Sequence, residues 1–490
     1  MGSLIKDTFF GFSSDIVLTI VKILKLIVLV PLVIYYTSAD AYGFYLVCLS
    51  IIGVLGIVDL STDLYLIKII SDPKKINLIS PCINIVILNS FIIFLAGITI
   101  FHFNIIVDSK DQNSIVFLFL LLGKFLTKIA SVPNSFLLSK RKMGFINITK
   151  IIVYSIEIPF LFLFLYYNYG ILALGILEVA TSSLFLILFA YKVRINLSKF
   201  FKIDFYNLKY IMKNSLYYYF SKLSNIGITN ADNLLINYML GPSFVTIYNI
   251  SIKLPTLISR EIAGKVSTNL FPVLTNIDIN TFKSKLSKAY TLILKLSIRI
   301  GIIFGIYNLF INEKFIDIWV GSEFYGGNFL NFIFSLMIVA EIFYTSFEPL
   351  ILSKGNMKLF SIISMVELIL NILLSVFLSK YFGLLGIALG SFISRILLPN
   401  IFMIYSSNNI FNNKVISFKL IFKTLLFSIP CFISSVIIFY NSEFLGSYLF
   451  AIIFSLQLII INLISFDYKI IFNKKKIDII TQFKKSYSYE

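Results

Sequence analysis

The chain has 490 residues, 58% of them hydrophobic and 13% charged, with a mean hydropathy of +0.92. No soluble domain of ordinary size buries that much apolar surface, so lipid has to be the solvent for most of it. The formal net charge of +18 would suggest nucleic acid in a soluble protein; here it is assigned to basic loops on one side of a membrane, and no nucleic-acid partner is expected.

A helix crossing ~30 Å of hydrocarbon needs about twenty apolar residues. About fourteen such segments occur, near 16–36, 42–66, 79–104, 114–137, 147–167, 170–192, 214–239, 243–272, 287–310, 327–352, 357–379, 382–405, 416–440 and 445–466. The first could be mistaken for a signal peptide, because Ala39-Asp40-Ala41 resembles a small-x-small cleavage site. Lys22 and Lys25 interrupt it, however, and about thirteen spans follow, so it is read as a retained first helix.

The gaps alternate in charge. Those after even-numbered spans are basic: Lys74 and Lys75; Lys140, Arg141 and Lys142; Lys199, Lys202 and Lys209; Lys283 and Lys285; Lys354; Lys414; and a tail with Lys474, Lys475, Lys476, Lys484 and Lys485. Those after odd-numbered spans are short and lean acidic, with Asp40, Asp108, Asp111, Glu313, Asp317, Glu323 and Glu443 against Lys110, Lys314 and Lys380. The positive-inside rule then puts the basic gaps and both termini in the cytoplasm. Tyr35, Tyr36, Tyr166, Tyr167 and Tyr217 to Tyr219 sit near span ends, and Trp319 lies in the outward gap before span ten, as an interfacial aromatic belt would.

The chain repeats itself. Ser139-Lys140-x-x-Met143 precedes a span, a gap ending at Gly170 and another span; about 214 residues on, Ser353-Lys354-x-x-Met357 does the same, with Tyr381-Phe382-Gly383 as the gap. A six-span unit has an even count, so its copies insert in the same orientation and enclose a cavity between them. The fold expected is an all-α polytopic membrane protein. Residues 1–195 form an N-terminal six-helix bundle, 196–213 a basic cytoplasmic linker and 214–406 a C-terminal six-helix bundle. Residues 407–470 add two helices, and 471–490 form a basic cytoplasmic tail.

Charges inside spans need their own reason, since each costs about 2.5–3.5 kcal/mol near a helix centre on insertion scales. At 1.5 Å per residue Lys25 lies roughly 13 Å into the first span, and Lys124, Lys253, Lys295 and Arg299 fall at similar depth. Lys22 and Lys25, Lys124 and Lys128, Lys253 and Arg260, and Lys295 and Arg299 are three, four or seven apart, so each pair shares a helix face. Together they would make a cationic chamber for a phosphate or diphosphate. Two blander readings stand beside it. Lys22 and Arg260 lie near the cytoplasmic surface and could snorkel, and Asp59, Asp63, Glu157, Glu178 or Glu367 could pair with the lysines across helices. Asp40, Asp59, Asp63 and Glu157 are the candidate gating or ion-coupling groups.

Cys48, Cys82 and Cys431 lie in or beside different spans without a CxxC, and His102 is alone, so no metal or other cofactor is expected. No GxxxxGK[ST] occurs, so no ATPase is built in. The outward gaps are short, which argues against a membrane polymerase or ligase and against any enzyme.

Three stretches carry a family resemblance: Tyr36-Thr-Ser-Ala-Asp40-Ala-Tyr-Gly-Phe-Tyr45; Asn230-Ala-Asp-Asn-Leu-Leu-Ile-Asn-Tyr-Met-Leu-Gly241 with Tyr248-Asn-Ile-Ser-Ile-Lys-Leu254; and Leu352-Ser-Lys-Gly-Asn356. In their order and spacing the chain resembles the polysaccharide (O-antigen repeat unit) flippases of the multidrug/oligosaccharidyl-lipid/polysaccharide exporter superfamily. The resemblance implies two six-helix bundles in a V. It also implies outward movement of a polyprenyl-diphosphate-linked oligosaccharide across the bacterial cytoplasmic membrane, with other polysaccharide assembly proteins as candidate partners. In related peptidoglycan-precursor flippases, cations on helices one, two and eight face the cavity and an acidic residue follows helix one. Lys22, Lys25, Lys253 and Asp40 occupy comparable places, whereas span two offers Asp59 and Asp63 where a cation would stand. That departure, together with the cations being mostly lysines, favours a surface-polysaccharide repeat unit over the peptidoglycan precursor. The rival on the same fold is a cation-coupled multidrug exporter, whose cavity would be dominated by carboxylates.

Overall fold

The computed structural model describes residues 2–56, 66–67, 69–70, 77–103, 114–140, 142–194, 205–259, 264, 279–411 and 422. The expected spans at 416–440 and 445–466 lie outside them except for Phe422, as do Asp59, Asp63 and Arg260. Among the described residues the regular structure is helical, and nine helices are long and apolar enough to cross a membrane. Helices suit this solvent because each satisfies its own backbone hydrogen bonds, which lipid cannot do.

In chain order the helices are α1 (Gly2–Tyr36), α2 (Ala39–Leu55), α3 (Ile79–His102), α4 (Ile115–Ser139), α5 (Met143–Tyr166), α6 (Leu172–Val193) and α7 (Phe205–Leu240). Then come α8 (Pro242–Ser251) with a further turn at Lys253–Thr256, α9 (Ile279–Trp319), α10 (Asn328–Lys354) and α11 (Met357–Phe382). Last is α12 (Leu384–Arg395), which passes through a π-helical turn (Ile396–Asn400) into α13 (Ile401–Phe411). Several run past the apolar windows that reveal them. The ninth was expected near 287–310, yet α9 continues to Trp319, making that residue the end of a helix instead of part of a loop.

The breaks between helices have local causes. Ser38 caps α2 by accepting the Ala41 N–H at 3.1 Å, and Asn356 caps α11 by accepting that of Leu359 at 3.1 Å. Between α7 and α8 the chain turns at Gly241, whose φ of +100° is open to glycine, and Pro242 starts α8 where its missing N–H is no loss.

The helix pairings repeat after six elements. The helix α1 packs on α5 as α7 packs on α11; α3 on α4 as α9 on α10; α4 on α6 as α10 on α12; α5 on α6 as α11 on α12. The two sets meet where α2 packs against α7 and α8. Gly43 lets the backbones touch there, since a Cβ on it would run into the Pro242 carbonyl. Thr246 donates to the Ala39 carbonyl at 2.7 Å and Asn233 to Ser50 at 2.9 Å across the same seam. The largest apolar cluster gathers around it, from Val33, Cys48 and Ile51 to Ile236, Val245 and Phe334.

Candidate functional site

In the first six helices, the intramembrane cation of α1 has a partner. Lys25 Nζ is 2.6 Å from Glu157 Oε2 on α5 and 4.6 Å from the centroid of the Tyr154 ring, one turn earlier on that helix. Glu157 is 9% exposed and Lys25 22%. This is the interhelical pairing that the sequence left open beside the chamber, and it spans 132 positions. Lys22, one turn away, is exposed. On α4, Lys124 is exposed and Lys128 half-buried, and both have interaction partners. On α9, Lys295 and Arg299 are half-buried. Asp40 is exposed in the first turn of α2, where a carboxylate suits the positive end of the helix dipole.

The second set of helices holds a cavity of about 190 Å³, walled by α7, α8 and its following turn, α10 and α12. Lys253 lines it, half-buried and without an ion-pair partner among the described residues. Among the described residues, the other cations expected to form the chamber (Lys22, Lys25, Lys124, Lys128, Lys295 and Arg299) are not on its wall. Asp232 accepts the Tyr248 hydroxyl at 2.9 Å and the Ser391 hydroxyl at 3.0 Å, and Asn371 donates to Ser391 at 2.9 Å. Asn249 donates to Asn233 at 2.7 Å, and Asn233 in turn reaches Ser50 on α2. The cavity's polar lining is thereby tied to the seam between the two sets of helices.

At one side of the cavity stands Arg395, the last residue of α12. Its Nε lies 3.3 Å from Glu341 Oε2 on α10 and 3.3 Å from Glu367 Oε1 on α11, and its guanidinium sits 4.6 Å over the Tyr344 ring. Tyr344 donates to Glu348 at 3.4 Å. Reasoning from sequence passed over Arg395, Asp232, Glu341 and Glu348 as site residues. A usable signal existed. Glu341 and Glu348 are seven apart on one span, with Glu367 and Arg395 inside the next two, and buried charge on successive spans calls for mutual neutralisation.

The arrangement suits a polar, partly anionic guest. Around the cavity, amides and hydroxyls offer both donors and acceptors, Lys253 offers a charge outside any ion pair among the described residues, and Asp232 and Glu341 set acidic edges.

The sequence profile of the polysaccharide biosynthesis protein family matches residues 10–278, more than half of the chain. Among solved structures, the chain is similar to the lipid II flippase MurJ in an inward closed conformation. The TM-score is 0.65 at 18% identity, covering 92% of this chain and 97% of that one. A multidrug resistance MATE family transporter of the MOP superfamily, in an inward-facing conformation, matches with TM-score 0.61 at 15% identity over 82% of this chain and 98% of that one. A MOP superfamily transporter from Pyrococcus furiosus matches with TM-score 0.57 at 13% identity over 82% and 94%. No curated protein sequence matches.

Proposed function

Because the chain belongs to the polysaccharide biosynthesis protein family and has the fold of MOP-superfamily transporters, we propose that it is a lipid-linked oligosaccharide flippase. It carries a polyprenyl-diphosphate-linked repeat unit, of O-antigen or a similar surface polysaccharide, from the cytoplasmic to the outer leaflet of the bacterial cytoplasmic membrane. Both termini are cytoplasmic in this reading. The boundaries 1–195 and 214–406 delimit the two bundles that rock against each other.

The observation that carries the reading is Lys253. An ammonium in a membrane-buried cavity with no direct ion pair among the described residues gains from an arriving anion, and the diphosphate of the carrier lipid is such an anion. The surrounding amides and hydroxyls match sugar hydroxyls. The polyprenyl tail stays in lipid while the headgroup crosses. Alternating access then consists of opening and closing the α2–α7/α8 seam, with Glu157, paired to Lys25, as a candidate coupling group.

The test is to reconstitute the protein in liposomes with a fluorescent polyprenyl-diphosphate oligosaccharide and follow headgroup exposure to an external quencher. Protein-dependent movement that falls at least tenfold in Lys253→Gln supports the flippase. Absence of movement under every imposed gradient refutes it.

One observation favours the rival. Asp232, Glu341, Glu348 and Glu367 outnumber Lys253 and Arg395 in and beside the cavity, as a cation-coupled drug exporter would require. Uptake of a lipophilic cation such as ethidium by the same liposomes, with no lipid movement, would decide for that reading.

A further inference from the structure

Arg395 is less well satisfied than a buried guanidinium requires. The residue is 7% exposed, two carboxylates lie 3.3 Å from its Nε, and Nη1 is buried with no acceptor among the described residues. Arginine carries five N–H donors and no acceptor of its own, so an orphaned donor here is a penalty that an incoming anion would relieve. The same side chain lines the cavity that Lys253 lines from the turn after α8. Two under-satisfied cations from different helices thus border one space of about 190 Å³. The backbone next to Arg395 also departs from an α-helix. The chain passes into a π-helical turn, and Pro399 lacks the N–H that would bond the Arg395 carbonyl in an α-helix.

The two carboxylates on the guanidinium differ in position. Glu367 is 3% exposed and stands behind Arg395, whereas Glu341 is part of the cavity wall. Asp232, the other carboxylate on that wall, already accepts the Tyr248 and Ser391 hydroxyls. Glu348 accepts Tyr344, whose ring covers the guanidinium. Glu341 is therefore the group that an anion entering the cavity meets at Arg395.

We propose that Arg395 and Lys253 together bind an anionic oxyacid group of the transported headgroup, a phosphate or a carboxylate, and that Glu341 competes with that group for the guanidinium. The headgroup rests on the flippase reading; the anion site does not. Two sources share this chemistry: the diphosphate of a carrier lipid, and an acidic sugar.

The experiment is equilibrium binding of radiolabelled inorganic pyrophosphate, and separately of glucuronate, to the full chain in nanodiscs. Wild-type protein is expected to bind at least one of the two saturably, and Lys253→Gln to weaken it at least tenfold. Arg395→Gln leaves two carboxylates without their cation and could fail to fold, so Glu341→Gln is the deciding variant. It keeps the shape and removes the cavity-side one of the two carboxylates on the guanidinium, and binding should tighten severalfold, which a purely structural role for Arg395 does not produce. Pyrophosphate binding alone identifies the diphosphate as the source, and glucuronate binding alone identifies an acidic sugar. Binding of neither, or unchanged or weaker binding in Glu341→Gln, overturns the proposal. Anion binding without lipid movement in the liposome assay would sink the flippase reading and leave this site standing. Lipid movement without anion binding would do the reverse.

Discussion

The chain's single tryptophan ties its two sets of helices together, and replacing it with phenylalanine should loosen them by a calculable amount. Pro31 sits inside α1 without an N–H, so the Ile27 carbonyl four residues earlier has lost its helical partner. Trp319, at the end of α9, supplies the missing donor: its Nε1–H reaches the Ile27 oxygen at 2.7 Å, across 292 positions. The indole stacks on Phe315 at 5.2 Å. Trp319→Phe keeps an aromatic ring there and leaves the half-buried carbonyl without a donor. A buried acceptor so orphaned costs about 1–3 kcal/mol. If the bond exists only when the two sets are closed at this seam, the closed-to-open ratio falls about five- to 150-fold. The assay is the labelling rate, in nanodiscs, of a cysteine at Ser50, which is 2% exposed on α2 and bonded to Asn233 across the seam. Cys48, Cys82 and Cys431 would first be replaced by alanine. Ser50→Cys loses its bond equally with and without Trp319, so the comparison cancels that effect. Labelling should accelerate in Trp319→Phe. Equal rates in the two backgrounds would show that the bond does not hold the seam, and the reasoning from Pro31 would fail.

The ion pair on α1 gives a second expectation. Glu157→Gln strands the half-buried Lys25 charge and should lower thermal stability in detergent, by about 1–3 kcal/mol once partial exposure is allowed for, and Lys25→Met with Glu157→Gln should recover most of it. A double-mutant cycle on melting temperature reads this; additive effects would mean the pair carries no coupling. A third concerns Asn331, whose side-chain oxygen accepts from Asn308 at 2.9 Å and from Asn312 at 3.0 Å. Asn331→Ala removes an acceptor shared by α9 and α10 and should destabilise by about 1–3 kcal/mol, whereas the exposed Asp317→Ala should stay within about 0.5 kcal/mol. Chemical denaturation of both variants checks the contrast.

Each helix in lipid must close its own backbone hydrogen bonds, so about twenty apolar residues in a row specify a span whatever its neighbours are. Local composition was therefore enough to find the helices from Gly2–Tyr36 through Ile401–Phe411, and the recurrence of Ser-Lys-x-x-Met was enough to find the six-helix repeat that the pairings obey. The same local logic marks Lys25, Glu157, Lys253 and Glu367 as charges that need a partner or a cavity, because the penalty for being buried is a property of the residue. Which of those two each one obtains depends on how helices cross. Lys25 meets Glu157 because α1 lies along α5, and Arg395 meets Glu341 and Glu367 because α12 packs against both α10 and α11. Lys253 makes no ion pair among the described residues because it borders a cavity. Trp319 looked like one more belt residue, since the proline-freed carbonyl that it serves is local to α1 and the donor is not. Membrane spans are thus decided one helix at a time from sequence, while the partner of each buried charge and orphaned carbonyl is decided only when the helices are packed, because the contact is made between side chains that no local pattern relates.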